Sequence, residues 1–228
     1  VTRPHRHPID RIARALGLAA IVLVAGADVG AQSMQRAPDI TPDMPAPMAA
    51  EPGGTLVKGA RYVIDPTHTF VTYEIGHYAT TTNRGRFSTK DGSVQIDGNG
   101  RNGTVDITID MSSINTGVDL LNRHIQSTDF LNVADFPTAR FVADRISVAE
   151  ERVREVQGSL TLLGQSRPIR LQARRFNCYL SPLLKRQVCG GDFEATIERS
   201  QWGITWGIPF GFEDKVRLLV QVEAVHIP

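Results

Sequence analysis

A chain of 228 residues, 41% of them hydrophobic, is long enough for one domain with a sizeable core. Its 25 basic and 24 acidic residues leave a formal net charge of +1, and so near-neutral a protein has no general electrostatic attraction for nucleic acid or an anionic membrane. Two cysteines without a neighbouring histidine pair are too few ligands for structural zinc, and they form no CxxC redox motif.

Residues 1–31 read as a signal peptide. Arg3, Arg6, Arg11 and Arg14 make a positive start, and residues 16–27 are an apolar run, shorter than the roughly 20 residues a spanning helix needs. Val29-Gly30-Ala31 then offers small residues for cleavage. No cysteine follows as a lipoprotein anchor. Loss of this leader, with its four Arg and two Asp, brings the net charge from +1 to −1. Residues 32–59 contain Pro38, Pro42, Pro45, Pro47 and Pro52 and end near Gly53-Gly54. They carry no helical or strand period and read as a disordered tether. Residues 60–228 are then a single domain. Export implies a periplasmic location, where Cys178 and Cys189, flanking a hairpin loop at 179–188, are expected to pair as a disulfide.

From Arg61 onward the dominant period is two. A short run at 62–64 comes first. Val71, Tyr73, Ile75 and His77 then alternate with Thr72, Glu74 and Gly76. Runs at 86–88 and 94–96 follow, with Asp91-Gly92 between them as a turn signal. Val105, Ile107, Ile109 and Met111 alternate with polar residues. The period changes only within 116–132, where Val118, Leu121, Ile125 and Thr128 fall three to four apart. That spacing predicts a short amphipathic helix, stopped by Asp135-Phe136-Pro137. Strands are expected again at 141–148, 153–163 and 169–176. Phe193, Ala195 and Ile197 continue the pattern, as do Val216, Leu218, Val220, Val222 and Ala224. The expected class is all-β: a single antiparallel sheet of eight or more strands with a short helical segment, closed into a barrel because closure removes the exposed edges of so large a sheet. The pattern alone does not separate an unfilled tunnel from a packed core.

A set of short motifs runs in order along this domain. It opens with Tyr62-Val63-Ile64-Asp65, His68 and Phe70-Val71-x-Tyr73-x-Ile75-x-His77. Gly85-Arg86-Phe87, Ile114-x-Thr116, Asn122-Arg123-His124 and Asp129-Phe130-Leu131 follow. The set continues with Phe136-Pro137-x-Ala139-x-Phe141, Gly158-x-Leu160-x-Leu162-x-Gly164 and Pro168-Ile169, and closes on Arg199-Ser200-x-Trp202-Gly203-Ile204. In this the chain resembles the YceI-type family of periplasmic, lipocalin-like, polyisoprenoid-binding proteins. The resemblance implies an eight-stranded barrel with a helical segment across one end and a tunnel holding a bound isoprenoid lipid, such as a ubiquinone or a polyprenyl phosphate. It implies no catalysis and no required cofactor, and it allows a homodimer. The proline-rich tether and the cysteine pair go beyond the family's minimal pattern.

The expected tunnel lining is Val71, Tyr73, Ile75, His77, Phe87, Val105, Ile107, Ile109, Ile114, Phe130, Phe136, Phe141, Leu160 and Leu162. For part of this set an ordinary core role is the simpler reading. His77 either meets a lipid head group or is satisfied by a neighbouring backbone group. Arg123 and His124, on the helical segment, either meet a head group or are solvated. His68 beside Asp65 is expected to stabilise a turn, and His226 to lie at the surface. The histidine spacing lacks the short pairing of a metal site, and Ser127 has no nucleophile elbow around it. Trp202 and Trp206 are expected to seal a barrel end, with Arg199 beneath a tryptophan. A carrier or reservoir is thus the leading reading. A redox accessory that uses a bound quinone through His77, and a stress protein with a filled barrel, are its rivals.

Overall fold

The computed structural model describes residues 55–228 and the backbone of Glu51–Pro52. The expected signal peptide at 1–31 and most of the expected tether lie outside the described residues. The strands are β1 (Glu51–Pro52), β2 (Arg61–Ile64), β3 (Phe70–His77), β4 (Thr81–Ile96), β5 (Gly103–Asp110), β6 (Thr138–Ala149), β7 (Arg152–Leu162), β8 (Gln165–Leu180), β9 (Gln187–Glu198) and β10 (Phe212–Ile227). One α-helix, α1 (Asp119–Gln126), sits between β5 and β6.

Strands β4 to β10 pair antiparallel in chain order. Strands β2 and β3 lie end to end as the eighth stave, each pairing with β10 on one side and β4 on the other. This closes the barrel, so no stave is left with a free edge. Strand β1 is an extra piece that pairs with Tyr179 and Leu180 of β8. Pairing therefore starts ahead of residue 60, inside the segment read as tether, and Leu56 is already buried.

Alternation places apolar residues inside and charges outside, and β-bulges reset it. Inward positions on β4 are Phe87 and Thr89 before a register shift at 89–91, and Val94 and Ile96 after it. The shift at 143–145 in β6 likewise moves the inward set from Ala139 and Phe141 to Ile146. In β8, Ile169 and Leu171 give way to Phe176 across the shift at 173–175. An inserted residue reverses the parity of everything after it. Asp91-Gly92 is accordingly no turn: both residues pair with β5, opposite Thr108 and Ile107. The runs at 86–88 and 94–96 belong to one sixteen-residue strand.

The outer wall carries a charge ladder across five staves. Arg84 of β4 bonds Glu74 of β3 at 2.7 Å, and Glu74 meets Arg217 of β10 at 2.9 Å. Arg217 reaches Glu194 of β9 at 2.7 Å, and Glu194 meets Arg174 of β8 at 2.6 Å. The hydrogen bond from Arg84 holds the Glu74 carboxyl below its ordinary pKa. A wall of this kind is the opposite of one that faces hydrocarbon. No helix among the described residues is long and apolar enough to cross a membrane.

Between β2 and β3 the chain makes a polar jog. Asp65 accepts from Thr67 N at 2.9 Å and Thr67 Oγ1 at 2.6 Å, and its other oxygen lies 2.8 Å from His68 Nδ1. His68 has the turn-stabilising place expected of it. Across the seam, Thr69 Oγ1 donates to Glu223 O and accepts from Glu223 N, each at 3.1 Å. At the far end of β8, Cys178 and Cys189 face each other across the β8–β9 ladder and form a disulfide.

Two outcomes follow from these bonds. Closing a loop with a sequence separation of 11 stabilises by about 3 kcal/mol in the chain-entropy model. Dithiothreitol should therefore lower the Tm by roughly 5–10 °C in a circular dichroism melt, whereas labelling of both thiols in the native protein would remove the disulfide from the account. The Asp65 hydrogen bond raises the His68 pKa, so the stability it contributes is present below the unfolded pKa and is lost as pH rises through the folded one. The His68 ring resonance should titrate above its ordinary value of about 6.5, and Asp65→Asn should lower its midpoint.

Candidate functional site: an apolar cavity inside the barrel

The inward faces of the staves enclose a cavity of about 190 Å³. Every stave contributes side chains to it, from Val71 on β3 and Ile107 on β5 to Phe193 on β9 and Val220 on β10. Residues before and after the strands close in as well: Leu56 at one end, Met111 and Leu131 at the end capped by residues 111–137. Among the described residues, no charged side chain reaches the wall.

The few polar side chains in this wall are bonded to neighbouring groups of the protein. Tyr62 is 1% exposed; its hydroxyl accepts from Val57 N at 3.1 Å and donates to Gln187 Oε1 at 2.8 Å. Thr69 Oγ1 is held by both backbone groups of Glu223, and Thr89 Oγ1 donates to Thr69 O at 3.2 Å. The cavity thus offers area and dispersion, with almost no directional chemistry.

Of the residues expected to line a tunnel, Val71, Phe87, Val105, Ile107, Ile109, Phe141, Leu160 and Leu162 line this cavity. Tyr73, Ile75, His77, Ile114, Phe130 and Phe136 do not. The first three share the parity of Val71 but lie further along β3, at the level of the cap. There Tyr73 and Ile114 occupy the space over Gly85, where a Cβ would sit 2.6 Å from Tyr73 Cε1 and 3.0 Å from Ile114 Cδ1. Burial pushes the Tyr73 hydroxyl up to about 12. Phe136 packs over Gly164 in the β7–β8 turn. The sequence reading passed over Leu56, Phe176, Phe193, Leu218, Val220 and Val222, which also line the cavity. All but Leu56 stand in strands whose alternation was visible.

At the capped end, aromatic rings form a continuous chain. His77 meets Phe212 edge-on at 4.8 Å, Phe212 meets Trp206 at 5.8 Å, and Trp206 meets His124 edge-on at 4.7 Å. Phe130 packs against both His124 and Trp206. Two head-group candidates from distant parts of the sequence, His77 and His124, are thereby joined in one cluster, while Arg123 is exposed on α1. His77 is engaged by the rings of Tyr78 and Phe212, and His124 Nε2 lies 3.2 Å from Asp129 Oδ2.

The crossover from β9 to β10 locks this end. Trp202 is buried and donates from Nε1 to Leu160 O at 3.2 Å. Arg199 is only 4% exposed. Its Nε donates to Glu213 O, and its Nη1 to Ile204 O and Trp206 O. The guanidinium therefore ties two carbonyls of the crossover to one of β10, and burial lowers its pKa. Ser127 Oγ donates to the backbone oxygen of His124 at 2.7 Å, so serine and imidazole do not form a nucleophile–base pair. Among the described residues, no three His, Cys, Asp or Glu side chains come together as a metal site.

Comparison with known proteins places this geometry. A family model described as a YceI-like domain matches residues 62–224. The protein YceI of Salmonella newport is 30% identical over 170 residues, covering 73% of this chain and 87% of the relative. Among solved structures, Burkholderia cenocepacia BcnA has the same fold with a TM-score of 0.53 at 20% identity, covering 70% of this chain and 98% of that one. A polyisoprenoid binding domain from Saccharophagus degradans, implicated in plant cell wall breakdown, superposes with a TM-score of 0.53 at 18% identity, covering 72% and 97%.

The role of Arg199 is open to a direct check. An ammonium cannot match the planar fork that serves three carbonyls, so Arg199→Lys should cost about 1–3 kcal/mol in urea unfolding. An unchanged midpoint would mean that the guanidinium does not hold the crossover.

Proposed function

The chain belongs to the YceI-like domain family, and on that premise we propose that its barrel binds one long apolar chain of the isoprenoid class and serves as a non-catalytic carrier or reservoir. The observation that carries this reading is the cavity wall, almost wholly apolar and with its few polar side chains already bonded to neighbouring groups of the protein. At roughly 24 cal/mol per Å³, about 190 Å³ of unfilled apolar cavity costs about 4–5 kcal/mol. That is a large share of the roughly 5–15 kcal/mol that keeps a domain folded. An aliphatic or polyprenyl tail recovers this energy without any directional contact. The name of the Saccharophagus degradans relative, a polyisoprenoid binding domain, supports the same ligand class.

Within that class the ligand is an isoprenoid quinone or a polyprenyl phosphate. Its head group falls outside the cavity, because no free polar side chain in the wall could address it. His77, His124 and the exposed Arg123, around the aromatic cluster at the capped end, are the groups nearest in kind to such a role. Export into the periplasm, with loss of residues 1–31, completes the reading, and the disulfide suits an oxidising compartment of that kind.

The test is organic extraction and mass spectrometry of the protein purified from its native cells without detergent. A stoichiometric isoprenoid is expected. Ile107→Trp, which places a bulky ring in the cavity, should abolish uptake in a barrel that still folds. Ile75→Trp, at the level of the cap, should leave lipid content near that of the natural protein. A folded Ile107→Trp variant with full lipid content would overturn the assignment. So would a natural protein that is purified empty and stays empty after refolding with added quinone.

A further inference from the structure

The hairpin loop between β8 and β9 presents leucines to solvent. Leu183 is 88% exposed, and Leu180 and Leu184 are 48% and 46% exposed. Disorder of the loop does not explain this, because its backbone is bonded internally. Ser181 N donates to Arg186 O at 2.9 Å, Lys185 N donates to Ser181 O at 2.8 Å, and Leu184 N donates to Ser181 Oγ at 3.2 Å. Pro182 brings no N–H. Below the loop, the Cys178–Cys189 disulfide ties the two strands together. The apolar side chains are therefore held outward on a braced tip.

Charge decides what such a tip fits. Lys185 and Arg186 follow the leucines directly, and no acidic residue occurs between Cys178 and Cys189. Three leucines fall far short of the roughly 1,000 Å² that a stable protein interface needs, and two cationic tips brought together would repel. An anionic bilayer accepts both parts: leucines at the acyl boundary and cations at the phosphates. The internal bonds of Ser181, Leu184 and Lys185 N–H lower the cost of bringing the tip's backbone out of water. The loop also stands at one end of the cavity. Cys189 lines the cavity, and the adjoining Gln187 accepts from Tyr62, another lining residue.

From this juxtaposition we infer that residues 180–186 are a docking tip that seats one end of the barrel on an anionic phospholipid surface, with Leu180, Leu183 and Leu184 inserted and Lys185 and Arg186 at the head groups. The inference goes beyond the binding of a lipid in the cavity. Its test uses phospholipid vesicles free of isoprenoid, so either reading can fail without the other.

The experiment is vesicle flotation of the full protein with phosphatidylglycerol or phosphatidylcholine vesicles at low and high salt. Association with phosphatidylglycerol, lost at high salt, is expected. Removing both cations as Lys185→Gln with Arg186→Gln should weaken it by about 30-fold. Leu183→Asp, alone and with Leu184→Asp, should abolish it at unchanged circular dichroism. Since Leu183 is almost wholly exposed, the single variant keeps the test valid should the double variant misfold. Three outcomes would overturn the inference: no association of the natural protein, equal association of Leu183→Asp, or a natural dimer that Leu183→Asp converts to monomer without any vesicle association.

Discussion

The pairing of β10 with β3 and β2 closes the sheet on itself, and the rest of the molecule depends on that seam. An open sheet of eight antiparallel strands would carry two unpaired edges and one exposed apolar face. Once closed, it has an inside and an outside, and a period of two becomes a radial sorting rule: alternate residues enter the interior or meet water. The ladder from Arg84 through Glu74, Arg217 and Glu194 to Arg174 crosses this seam on the wet side. On the dry side the same strands present Val71, Phe87, Phe193 and Val220. Surface ion pairs add little stability individually. Their clearer effect is to keep the two faces chemically distinct along the whole wall.

Radial sorting says nothing about position along the barrel axis, and the two levels of the interior differ. Near the cap, residues 111–137 and the crossover after β9 lower Ile114, Thr116 and Phe212 into the barrel, where Tyr73 and His77 meet them. That level is packed. Beyond it the aliphatic side chains are too small to meet across the barrel, and the cavity remains. Binding capacity thus results from where the cap stops as much as from what the strands contribute.

This division explains what was legible in the sequence. Alternation and turn residues gave the class and the helical exception, because each is local. The bulges were not legible: a one-residue insertion in β4 looks like two short strands with Asp91-Gly92 between them, since parity changes on either side. Inward-facing residues could be named, but not their level, so Ile107 and Tyr73 carried equal weight although only Ile107 lines the cavity. Phe193, Leu218 and Val222 had the same alternation and could have been named by the same rule. Leu56 could not, because proline-rich surroundings concealed a buried position. The aromatic cluster was out of reach altogether, because it joins His77, His124, Trp206 and Phe212 through the closure of the chain.

The bonding of every polar side chain in the cavity wall has a consequence for how such a protein can change over generations. A site built on directional contacts ties function to a few irreplaceable side chains. Here the requirement is spread over many aliphatic positions, each of which tolerates exchange for a side chain of similar volume at modest cost. Recognition becomes a collective property with large sequence degeneracy. Chains that share this barrel at 18–20% identity can then drift far apart in composition, provided that the wall stays greasy and the closing seam keeps its register.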